Sequence, residues 1–124
     1  MIILALLMAI LTACTSSGQA NAPQTAVETY IQALVGKDVN QLVNAACAAW
    51  EAQARQELRT FDAVTVSLDG LACQETSRQE TTAKVSCQGK IVANYGNEIL
   101  ELNLADRAYL AVQEAGEWRM CGYQ

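Results

Sequence analysis

The stretch "TAVETYIQALVGKD" places Val27, Tyr30, Ile31, Leu34 and Val35 at i, i+3, i+4, i+7 and i+8. That spacing is one face of a helix. Thr25 with Glu28 three residues later reads as a capping box at its start, and Gly36 as its stop. Asp38, with Gln41 at the third position, caps a second helix. Its stripe runs from Val39 through Leu42, Val43, Ala46, Cys47 and Trp50 to Ala54, Glu57, Leu58 and Phe61. Asn44 and its neighbours mark a candidate break into two helices. After Phe61 the period falls to two. Val64, Val66 and Leu68 alternate with polar residues, as in a half-buried strand. Asp69-Gly70 suggests a bulge before Leu71 to Gln74. "TAKVSCQGKIVANY" follows, then a turn at Tyr95-Gly96-Asn97, then a strand through Ile99, Leu100, Leu102 and Leu104. Ala115-Gly116 turns a final hairpin between Tyr109–Glu114 and Glu117–Tyr123. Two or three helices followed by four or five antiparallel strands indicate an α+β domain. The helices pack on one face of a strongly curved sheet.

Composition narrows the chemistry. The chain has 124 residues and 52% apolar content, which fits one domain with a real core. Its net charge is −5, from 8 basic and 13 acidic side chains, so nucleic acid is not an expected partner: phosphate binding needs a basic face. Histidine is absent. That excludes Ser/His/Asp and Cys/His catalysis and removes the commonest metal ligand. Cys47, Cys73, Cys87 and Cys121 contain no C-x-x-C pair, so no zinc site is expected. No cofactor is expected either.

The N-terminus points to a location. Met1 to Ala13 is uncharged and apolar, too short for a membrane span, which needs about 17 residues or more. It has the length of a signal-peptide core. Leu11-Thr12-Ala13-Cys14 resembles the bacterial lipobox. The resemblance implies cleavage after Ala13 and acylation of Cys14, which would anchor the chain to a membrane. Residues 14–24 then form a small, polar tether, and residues 25–124 a single extracytoplasmic domain. Thr15, rather than Asp, after the cysteine fits outer-membrane sorting in cells that have an outer membrane. The expected basic residues at the start of a signal peptide are missing. An ordinary signal peptide with Cys14 as a chance residue is the alternative.

The four remaining cysteines suit disulfides in an oxidising compartment. Three pairings are open. A hairpin turning near Ser77 to Glu80 sets Cys73 opposite Cys87, which leaves Cys47 with Cys121, a helix joined to the last strand. Buried free thiols are the alternative.

"VETYIQALVGKDVNQL" and the closing "GEWRMC" resemble the nuclear-transport-factor-2-like superfamily, also called SnoaL-like or ketosteroid-isomerase-like. The resemblance covers about Thr25 to Tyr123. It implies a cone-shaped sheet around a long helix, often with a pocket in its opening. Cystatin-like sheets share the helix-on-sheet look, but the multi-helix start favours the cone. In enzymes of the superfamily the pocket carries an Asp or His base and often a Tyr donor. No motif maps those roles here, and no catalytic residue is assigned. The polar candidates are Tyr30, Asp62, Tyr95, Glu101, Asp106 and Tyr109. Asp62 reads as a helix end, Glu101 as solvent-facing, and Asp106 with Arg107 as a surface pair. Tyr30, Trp50 and Tyr109 are the candidate pocket residues. The expected role is non-catalytic binding of a small apolar ligand or an envelope protein, with homodimerisation through the sheet face. The alternative is a small isomerase, dehydratase or hydrolase with a pocket carboxylate.

Overall fold

A computed structural model describes residues 21–124. Three α-helices precede a five-stranded antiparallel sheet: α1 Pro23–Val35, α2 Val39–Ala45 and α3 Glu51–Arg59, then β1 Thr65–Gln79, β2 Thr82–Asn94, β3 Ile99–Asn103, β4 Tyr109–Glu114 and β5 Glu117–Tyr123. Short 3₁₀ turns at Ala48–Trp50 and Leu104–Asp106 lead into α3 and β4. The acylation expected at Cys14, and the cleavage site before it, lie outside the described residues.

The helix stripes bury as their spacing requires, with shifted ends. α1 begins at Pro23, two residues before the expected cap, and has no side-chain cap. Proline suits that first position, because the N–H it lacks has no intrahelical partner there. Glu28 does not close a capping box. Its carboxylate instead accepts the Cys73 backbone N–H at 3.0 Å, tying α1 to β1. α1 stops at Gly36, but Lys37 takes the left-handed conformation, with φ of 55°. Asp38 caps α2 by accepting the Gln41 N–H at 3.1 Å.

The second stripe breaks at Ala46-Cys47, two residues after Asn44. Both residues are extended there. Ala46 makes a parallel bridge with Met120, and the Cys47 N–H donates to the Met120 carbonyl at 2.8 Å. Sheet hydrogen bonds thus replace helical ones, so Trp50 stands on a 3₁₀ turn rather than in a long helix.

β2 lies at the centre of the sheet. β1 pairs along one side of it. On the other side, β4 pairs with its first half and β3 with its second. β5 pairs with β4. Along β2, Ala83, Val85, Cys87, Ile91 and Ala93 are buried on one face and meet Tyr30, Ile31, Leu42 and Met120 in a single core. The helices cover that face. The β5 edge is closed by Ala46 and by Asn21, whose side-chain amide donates to the Trp118 carbonyl and accepts its N–H, at 2.8 and 2.7 Å.

β1 is one continuous strand with a bulge between Asp69 and Ala72. Gly89 of β2 makes the bulge fit. Its φ is 104°, and a Cβ there would lie 2.6 Å from the carbonyl oxygens of Asp69 and Gly70. A second irregularity between Glu75 and Ser77 lets pairing run on to Gln79 and Thr82, so the turn falls at Glu80-Thr81 rather than earlier.

The four cysteines form two disulfides. Cys73–Cys87 joins directly paired positions of β1 and β2, and Cys47–Cys121 straps the helical layer to β5. Both are compatible with an extracytoplasmic location. Among the described residues no helix is long and apolar enough to cross a membrane.

Candidate functional site

A cavity of about 460 Å³ opens between the helices and the sheet. One wall is apolar: Ile31 and Leu34 of α1, Phe61, Ile91 of β2, Leu102 of β3 and Leu104. α3 supplies Gln53, Gln56, Glu57 and Thr60. Trp50, Tyr109 and Tyr123 stand beside Glu57, while Tyr95, Asn103 and Arg107 complete the lining.

Glu57 is the cavity's one carboxylate among the described residues. The α3 period turns it inward with Ala54 and Leu58, and two phenols satisfy it. Tyr30 donates to Oε1 at 3.0 Å and Tyr123 to Oε2 at 2.5 Å. Trp50 Nε1 donates in turn to the Tyr30 hydroxyl at 3.2 Å. The result is a chain of Trp50, Tyr30, Glu57 and Tyr123 without a missing partner. No buried side-chain nitrogen or oxygen among the described residues lacks a hydrogen bond.

The rings are ordered as well. Tyr123 meets Trp50 and Tyr109 edge to face, with centroids 5.5 and 5.3 Å apart. Trp50 lies on Gly122, whose missing Cβ leaves room for the indole. The Arg107 guanidinium stacks on the Tyr123 ring, 4.1 Å from its centroid.

Burial, and after it the Glu57 charge, pushes the Tyr30 and Tyr123 phenols well above the usual tyrosine range. Burial raises Tyr109 too. All three therefore act as neutral O–H groups at ordinary pH. They can donate hydrogen bonds and cannot serve as phenolate bases.

Of the candidate pocket residues, Trp50 and Tyr109 line the cavity. Tyr30 is fully buried behind it and reaches it through Trp50 and Glu57. Tyr95 is half exposed at the rim. Asp62 and Asp106 are exposed and away from the lining. Glu101 faces solvent and pairs with Lys90 at 2.9 Å. Arg107 is turned to Tyr123 instead of forming the expected pair with Asp106. Leu100 is 44% exposed, so in β3 only Leu102 turns to the cavity.

Glu57, Tyr123 and Arg107 were not among the candidates. A carboxylate in an otherwise apolar stripe was the available signal for Glu57. No periodic signal marks the other two. Among the described residues no cluster of three or more metal-ligating side chains occurs.

No protein-family model and no curated protein matches the chain. Among solved structures it is similar to a SEC-C motif containing protein from Rhodopseudomonas palustris. The TM-score is 0.56 at 10% identity, covering 83% of this chain and 77% of that one. At that identity the likeness is one of fold alone. It corrects the expected family: the likeness found is to a SEC-C motif containing protein, and it does not support a lipoprotein or a nuclear-transport-factor-2-like, SnoaL-like assignment. The physical reason is that "VETYIQALVGKDVNQL" and "GEWRMC" encode a helix stop and a closing hairpin. Many helix-then-sheet domains share both.

Proposed function

We propose that this is an extracytoplasmic binding domain whose cavity holds a small, mainly apolar ligand without converting it. The observation that carries the reading is the cavity itself: about 460 Å³, with aliphatic walls and a few convergent polar groups around Glu57. Ligand sites commonly have that size and make-up. The two disulfides support the location. The closed hydrogen-bond chain supports binding over catalysis, since both oxygens of Glu57 are already engaged by phenols.

Native mass spectrometry of the protein exported to an oxidising compartment tests this. A co-purifying small mass that W50A loses supports the reading. An empty cavity, or a captured protein in place of a small molecule, counts against it.

One observation favours a second reading, a small isomerase, dehydratase or hydrolase: Glu57 is a cavity carboxylate set between tyrosines. A positioned carboxylate can act as a general base. Conversion of the co-purified ligand by the wild type and not by E57Q would favour it.

A further inference from the structure

The cavity has two chemically different ends. Tyr109 pairs with Val85 of β2, while Leu102 pairs with Ile91. Those β2 positions are six residues apart, about 20 Å of strand. At the Tyr109 end stand Tyr123, Trp50, Glu57 and Arg107. At the Leu102 end the walls are Ile91, Phe61 and Leu104. Beyond that end, Ile99 and Leu100 of β3 stay exposed, at 64% and 44%.

Arg107 is the one cation lining the cavity among the described residues, and no carboxylate there forms a salt bridge with it. Arg107 is exposed, with its guanidinium carbon 4.1 Å from the Tyr123 ring centroid. Its fork of N–H donors suits a two-oxygen acceptor, as arginine holds carboxylates. Glu57 stands at the same end, but both its oxygens are engaged by phenols, which leaves Arg107 as the group there that can pair with an acidic head.

Size limits the ligand. At about 30 Å³ per water-sized unit, about 460 Å³ holds on the order of fifteen heavy atoms. That matches one medium-length acyl chain with a small head.

We propose that the cavity takes a single-chain carboxylate, its head paired with Arg107 and its chain lying toward Ile91 and Leu102. This rests on the ligand-binding reading above and adds the charge and direction of the ligand.

Isothermal titration of the exported, oxidised protein with decanoate and with uncharged 1-decanol tests it. Decanoate is expected to bind about tenfold or more tighter than decanol, the advantage of a charge-assisted pair. R107Q is expected to remove that advantage while leaving decanol within about threefold. L102Q, at the other end, is expected to weaken both probes alike. Equal binding of the two probes by the wild type, or unchanged decanoate binding by R107Q, overturns the proposal and leaves a ligand cavity standing. Binding of neither probe overturns it as well. A co-purifying small mass then keeps the binding reading, and an empty cavity removes both.

Discussion

At the scale of single residues, the Glu57 carboxylate organises the site. Two phenols donate to it, so deleting one donor removes a hydrogen bond to a charged, part-buried group. Y123F is expected to destabilise the domain by about 1.5–3 kcal/mol at neutral pH, read from urea unfolding. An unchanged midpoint would mean the hydrogen bond contributes nothing net. The same phenols set an alkaline limit. Tyr30 and Tyr123 are raised above their unfolded value, which lies near 10. A group raised in the folded state contributes stability that is fully present below the unfolded value. That stability is lost as pH rises above it toward the folded value. Unfolding midpoints should therefore fall above about pH 10, and fall less steeply in Y123F, which has one such group fewer. Equal slopes in the two proteins would rule out Tyr123 as a source of the loss.

At the scale of elements, the bulge pair Gly70–Gly89 fits β1 to its neighbour, and Gly89 has no room for a side chain. G89A combines a positive φ with a collision against two backbone carbonyls. It is expected to cost about 3 kcal/mol, measured by thermal or urea unfolding. A loss below about 1 kcal/mol would mean the bulge rearranges freely. Elements were the most legible level of this sequence. The stripe from Val27 to Leu34 marks one buried face, and burial follows it; Val64, Val66 and Leu68 alternate toward the core with exposed neighbours between them. What periodicity does not encode is competition from distant backbone. Cys47 leaves the helix because Met120 offers a better partner, and Glu28 leaves its cap for Cys73. The site was legible only in part. Trp50 and Tyr109 sit on patterned elements, whereas Arg107 lies between a 3₁₀ turn and β4, where no period applies. Its role depends on the fold bringing Tyr123 beneath it.

At the scale of the whole molecule, stability and location are coupled through the disulfides. The Cys73–Cys87 loop spans a separation of 14 residues and the Cys47–Cys121 loop one of 74. In the loop-entropy account the first contributes about 3 kcal/mol and the second about 4.5 kcal/mol. The double variant C47S/C121S should therefore lose more than C73S/C87S, by about 1.5 kcal/mol in urea unfolding. The reverse order would show that constraint of the unfolded chain is not the main effect. Losing both is a larger matter. Domains of this size are stable by roughly 5–15 kcal/mol in all, so losing about 7.5 kcal/mol removes about half of that or more. Incubation with a thiol reductant at 37 °C should thus unfold the domain, seen as loss of near-ultraviolet circular dichroism and of ligand binding together. Retention of both signals by fully reduced protein would remove the main physical argument that the fold requires an oxidising compartment.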